Sequence, residues 1–187
     1  MSYDFDKLTS YGKSFSELTP EREALLIEIG KEIKPKLASI TEDFYQYLLT
    51  IPEATTFLGG RVEYLKKTHI LWMEGLFTGP FDKAYTEHMY KVGDVHVKVK
   101  LPVEFMAGAM TLINQRLTAL IVETYGDDKD YCAQVLNAIS AVTGMSLLMM
   151  QQSYQASSLV EELEKFLKIS GMSRALFTNL ATAYRDI

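Results

Sequence analysis

What the chain lacks narrows its chemistry first. A single cysteine, Cys132, rules out an internal disulfide and fits a reducing compartment, the cytoplasm. Cys132 sits among helix-forming residues, where a small buried side chain is its ordinary role. Basic residues number 19 against 24 acidic ones, leaving a net charge of −5. Nucleic acid is therefore excluded as the main partner, because phosphate binding needs a basic surface. No apolar run approaches the length of a membrane span, and the amino terminus, MSYDFDKLTS, is polar and acidic rather than signal-like. No membrane partner is expected. Glycine-rich phosphate loops, the HExxH zinc pattern and paired cysteines are all missing. No glutamate precedes a histidine by three residues, which removes the di-iron bundle pattern. With one cysteine and three histidines, a nucleophile and its base have little raw material. Strand signals are nearly absent too, and no repeat or low-complexity tract occurs.

What is present reads as one helix after another. At 187 residues the chain is one domain, or one domain with an appendage, long enough for a continuous core. Its five prolines all stand where helices should begin or turn. Thr19-Pro20, followed by Glu21 and Glu23, combines a capping hydroxyl, a proline at the first position and acids facing the helix dipole. Pro35 marks a corner before a second helix to about Thr50, and Pro52 opens a short one ending at Gly59-Gly60. Val62, Leu65, Trp72 and Leu76 keep helical spacing up to Phe77. After the Thr78-Gly79-Pro80 break, helices are expected from about Asp82 to Val99 and from Pro102 to near Gly126. Asp127 and Asp128 are candidate caps for a last, very long helix running towards Gly171. The expectation is an all-α chain of seven or eight helices.

That last helix is apolar almost all the way round between Tyr131 and Met150, so it must be covered on more than one side. In so small a domain the second cover is expected to be another copy of the same helix, with Met145 and Met149 facing the partner. Beyond Ser158 the sequence LVEELEKFLKI becomes amphipathic, with Glu161/Lys165 and Glu164/Lys168 at favourable spacing.

The remaining chemistry rests on His69, His88 and His96. His96 shares its helix with Tyr85, Met89, Val92, Val95 and Val99, so its imidazole projects close to an apolar stripe. Two readings are open on that evidence: a core histidine bonded to a carbonyl, or a haem ligand in a dry pocket. His69 lies 27 residues earlier on the preceding helix, a separation that suits a planar cofactor between two helical walls. His88 reads as a solvated or rim residue.

The stretch KKTHILWMEGLFTGPFDKAYTEHMYKVGDVHVKVKLPVEFMAGAM resembles the core of the globin-coupled sensor family. It has the tryptophan-bearing helix, the LF-x-G-x-F-D break, and a helix ending in Val-His before a leucine-proline step. The earlier EDFYQYLLTIPEATTFL is similar to the family's second helix and its exit. The likeness spans roughly residues 20 to 155. It implies a globin fold with an extra N-terminal helix and a helical C-terminal extension, divided into a haem-binding domain over 1–157 and a connector over 158–187. It further implies haem b (iron protoporphyrin IX) held by His96 as the proximal ligand.

By the same resemblance Tyr45, beside Phe44, points at the distal face and can donate a hydrogen bond to O2, with CO and NO as further ligands. Leu65 and Thr68 match distal positions, Thr68 as a possible second donor, and His69 is the weaker distal candidate. Trp72, Met89, Val92, Val99, Phe105 and Met106 are expected around the cofactor. Phe105-Met106 replaces the Trp-Tyr pair common in relatives, so a tyrosine relay on the proximal side is not assumed. Lys66, Lys67, Lys98 and Lys100 are candidates for the propionates, or simply a solvated basic face. The function implied is a gas sensor, not itself an enzyme, signalling through a homodimer built from the last two core helices. Two alternatives remain beside it: a haem-free helical dimerisation module, and a globin that consumes nitric oxide or peroxide.

Overall fold

Caps and prolines set the helix boundaries. The computed structural model describes residues 4–184. Its elements are α1 (Phe5–Ser16), α2 (Pro20–Ile33), a 3-10 turn at Lys34–Lys36, α3 (Leu37–Leu48), α4 (Pro52–Leu58), α5 (Val62–Gly75), α6 (Lys83–Lys98), α7 (Val103–Tyr125), α8 (Lys129–Ser170) and α9 (Arg174–Ala183). Thr19, Asp82 and Asp128 each accept a backbone N–H three residues on, capping α2, α6 and α8. Pro20 and Pro52 occupy first-turn positions, where no N–H is missed. Gly171 ends α8 in the left-handed conformation, φ 68°, which glycine adopts without a Cβ penalty.

The fold is all-α, with α1 as an extra N-terminal helix and a helical extension at the C-terminal end. Nine α-helices are present among the described residues, against an expected seven or eight. Part of the difference is α9, which Gly171 separates from α8. Phe177 of α9 meets Phe166 edge-on at 6.1 Å and Arg174 pairs with Glu164, holding the two together as a hairpin. The outer ends of the expected domains, residues 1–3 and 185–187, lie outside the described residues.

The core is organised around α8, a 42-residue helix about 63 Å long. It packs against α6, α7, α1 and α2 of its own chain. Val135, Ala138, Val142, Met145 and Met149 are wholly buried there. Met145 and Met149 therefore do not face a partner, although Ala133, Asn137, Ser140 and Gly144 of the same helix stay exposed. The two methionines face α1: a Cβ built on Gly12 would lie 2.4 Å from Met149 Cε and 3.4 Å from Met145 Cγ. The expectation failed because α1 could not be seen in the sequence as the missing cover.

The expectation that no segment reaches the length of a membrane span also needs correcting. By length and composition alone, both α7 and α8 are long and apolar enough to cross one. Their polar residues are mostly uncharged; no Asp, Glu, Lys or Arg occurs between Tyr131 and Val160. In α8, 56 % of that apolar window is buried inside the molecule, which accounts for its composition without a bilayer. The figure for α7 is 28 %, so α7 leaves more of its length uncovered.

The seat of α1 on α8 can be tested by truncation. Met149→Ala should destabilise the chain by about 2–5 kcal/mol, the usual range for emptying a well-packed methionine site. Urea denaturation reads this directly, and Met149→Glu should fail to give a folded monomer. An unchanged midpoint for Met149→Ala would mean that α1 does not rest on this face.

Candidate functional site

The last turn of α6 fixes His96 from both sides. Lys100 adopts φ 57°, and the N–H groups of Leu101 and Lys100 donate to the carbonyls of His96 (3.0 Å) and Val97 (2.8 Å). This is a Schellman closure with a lysine where glycine is usual. On the ring itself, Nδ1 lies 2.8 Å from the Val92 carbonyl. A carbonyl only accepts, so Nδ1 carries the hydrogen and Nε2 presents its lone pair. That tautomer suits a metal ligand, oriented by its second nitrogen. His96 is half-buried; Met89 is buried beneath it, Val92 is half-buried, Val99 is 40 % exposed and His88 is exposed.

The other candidate residues stand on α3 and α5, which pack on each other. His69 lies with its ring stacked on Phe44 (centroids 4.9 Å, 5° between planes) and edge-on to Tyr45 at 5.7 Å. Its Nδ1 is 2.9 Å from the Thr41 hydroxyl. Trp72 tilts against the same imidazole at 5.5 Å. Burial drives the His69 pKa down to about 4, so the ring is neutral at ordinary pH. Burial also pushes the Tyr45 phenol up to about 12, with nearby Lys66 opposing, so Tyr45 stays a hydrogen-bond donor.

The expected order of the two distal-helix candidates is reversed. Thr68 is exposed, and its hydroxyl donates back to the Leu65 carbonyl at 2.9 Å. His69 is the residue turned inward. Helical period gives the reason: Val62, Leu65, His69, Trp72 and Leu76 step by three and four along one face, and Thr68 falls about 100° off it. The apolar rhythm of α5 already contained this. Thr41 was missed altogether, although it stands one turn before Tyr45 and so shares its face.

Leu65 is half-buried against the core, Met106 is buried, and Phe105 packs on Phe57 of α4 at 5.6 Å. Among the lysines, Lys66 is held by Glu42 (2.7 Å) and Glu63 (2.9 Å), and Lys98 by Asp94 (2.7 Å). Lys67 and Lys100 are exposed.

The two walls therefore differ in chemistry. α6 leans on α8 and α5 on α3, whereas α5 and α6 make no extensive contact with each other. Beside Ser16 Oγ, Asn114 Oδ1 and Tyr154 Oη elsewhere, two buried polar atoms on α5, His69 Nε2 and Trp72 Nε1, have no hydrogen-bond partner among the described residues. Buried polar atoms are rarely left this way. Together with the free Nε2 of His96, they fit a planar, metal-bearing group such as haem. Among the described residues no three His, Cys, Asp or Glu side chains gather as a metal cluster, so a metal here would have a single protein bond or two.

The protoglobin family model matches residues 6–178. No curated protein matches the sequence. Among solved structures, the globin domain of a Geobacter sulfurreducens globin-coupled sensor is similar at 29 % identity and TM-score 0.70. That match covers 78 % of this chain and 96 % of the other. The globin domain of the E. coli DosC, in its ferric form, shares the fold at 18 % identity and TM-score 0.64, covering 78 % and 99 %.

The buried imidazole sets a pH dependence. The His69 pKa falls from 6.5 to about 4 on folding, so below pH 6.5 the unfolded chain binds this proton more readily. Its contribution is complete above 6.5 and is lost as pH drops towards 4, by about 3 kcal/mol in all. Urea titrations of the haem-free chain should show this slope, and His69→Leu should flatten it. An equal slope in both would place the charge-sensitive group elsewhere.

Proposed function

The chain belongs to the protoglobin family, and we propose that it is a haem-binding globin domain that senses a diatomic gas, with His96 as the proximal ligand. One observation carries this reading: His96 has its Nδ1–H committed to the Val92 carbonyl, leaving Nε2 free beside an apolar stripe. When bound, haem b would supply an iron with one position open to O2, CO or NO. The residues around it have separable tasks. Val92 holds the imidazole in the ligating tautomer. Met89, Val92, Phe105 and Met106 keep water from the proximal side, while Phe44, Leu65 and Trp72 do so on the distal side. Tyr45, kept protonated by burial, donates to a ligand that carries negative charge. His69 places a second, neutral nitrogen in the same pocket, fixed by Thr41.

The inward turn of His69 is also the one observation that favours a peroxide- or nitric-oxide-consuming globin. A histidine with a pKa near 4 is a weak base, however, and a general acid–base group works best near the operating pH. Sensing is the stronger reading. A globin core over 1–157 and a connector over 158–187 belong to the same reading; the solved neighbours are covered almost fully by 78 % of this chain, while the family model runs from 6 to 178.

A two-fold dimer through α7 and α8 remains part of the proposal, moved to different residues. The exposed faces carry Gly108, Ala119 and Val122 on α7 and Ala133, Ser140 and Gly144 on α8. Small side chains let helices approach closely, and a two-fold interface would shift symmetrically in both subunits. A pull on His96 would reach it through Leu101, Phe105 and Met106. Light scattering on the haem-loaded protein reads the mass.

His96→Ala should lose haem or hold it weakly, and exogenous imidazole should restore binding; His88→Ala should keep it. Absorption spectra during purification measure this, and full haem retention by His96→Ala would overturn the assignment. In the same preparations Tyr45→Phe should release oxygen roughly ten-fold faster, the effect of one hydrogen bond worth about 1–2 kcal/mol. Carbon monoxide, a poorer acceptor, should change less.

A further inference from the structure

We infer that Gly93 and Ser153 are positioning residues for His96, acting through the closest crossing between α6 and α8. The argument begins with the glycine. A Cβ on Gly93 would lie 2.3 Å from the Met150 carbonyl oxygen, 2.3 Å from Ser153 Oγ and 2.8 Å from Met150 Cα. Two of those three atoms are backbone, which cannot swing aside as a flexible side chain can. The helices touch here only because residue 93 has no side chain.

Ser153 completes the contact from the other helix. It is buried, and its hydroxyl donates to the Met150 carbonyl of its own helix at 2.7 Å, so it asks nothing of α6. Further back, the Tyr85 hydroxyl lies 2.6 Å from Ser146 Oγ, and Met89 is buried between the two points. The contacts advance together along both helices, from Tyr85–Ser146 to Gly93–Ser153, so α6 is keyed to α8 over about two turns.

The link to His96 is covalent. The carbonyl that holds His96 Nδ1–H belongs to Val92, and its peptide plane continues into the nitrogen of Gly93. Wherever Gly93 rests on α8, that carbonyl is fixed. The crossing thus sets the angle of the imidazole from outside the pocket, without touching the cofactor. Its effect on the metal rests on the haem-binding reading; its effect on the ring hydrogen bond does not.

The test separates the two. In the haem-free chain, ring nitrogen-15 shifts of His96 report the tautomer and the strength of its hydrogen bond. In the haem-loaded ferrous protein, the iron–imidazole stretching band reports the same bond from the metal side. Gly93→Ala should shift both and speed haem loss, while Gly75→Ala, whose added Cβ meets nothing within 4 Å, should leave both unchanged. Should Gly93→Ala not fold, Ser153→Thr adds one methyl at the same contact and should move the ring signals in its place. Folded variants at both positions with unaltered His96 signals would overturn the inference, whatever their melting temperatures. A chain that takes up no haem would defeat the haem-binding reading, and the ring shifts would still decide this one.

Discussion

The structure depends on burying an uncharged helix. From Tyr131 to Val160, α8 carries no charged residue, and its apolar stripe of Val135, Ala138, Val142, Met145 and Met149 is taken out of water. Four helices of the same chain cover it, and each of those contacts has a side effect. Seating α6 on α8 fixes the backbone behind His96. Seating α1 against Met145 and Met149 closes the side that would otherwise call for a second copy. The wall made by α3 and α5 is left to form on its own, around Thr41, Phe44, Tyr45 and His69. Two groups of side chains with unlike chemistry follow from how one helix is covered.

Those groups divide the polar work in an orderly way. His96 and His69 are each tied at Nδ1, one to a carbonyl and the other to a hydroxyl. A carbonyl allows one tautomer only, so the proton position on His96 is determined. A hydroxyl both donates and accepts, so His69 can present Nε2 as donor or acceptor by rotating one O–H. The α6 wall therefore offers a fixed electron pair, suited to a permanent bond. On α5, His69 offers an adaptable nitrogen beside the Tyr45 phenol, which on the proposed reading would suit a reversibly bound ligand.

Helix positions were legible in the sequence because their signals are local. Thr19-Pro20, Pro52, Asp128 and Gly171 act within a turn of themselves, and all four do what their chemistry suggests. The inward turn of His69 is equally local, because the three-four rhythm of Val62, Leu65, Trp72 and Leu76 includes position 69 and leaves out 68. Two things were out of reach for a physical reason. That α1 would cover Met149 depends on a contact between residues far apart in the chain. That Gly93 marks a crossing depends on the absence of a side chain, and a helical glycine gives no sign of what lies opposite.

Buried polar atoms without partners weaken a folded chain. Burial of His69 Nε2 and Trp72 Nε1 without partners costs on the order of 1–3 kcal/mol for each group. A chain optimised for folding alone would replace them with apolar groups of similar shape. On the haem-binding reading, a bound haem would complete the surroundings of these two atoms on α5. A group that binds the folded chain and not the unfolded one adds stability in proportion to the logarithm of its concentration over its dissociation constant. Cofactor binding and folding are then a single equilibrium. On that reading, the polar atoms that weaken the fold are the ones that would give the haem site its chemistry.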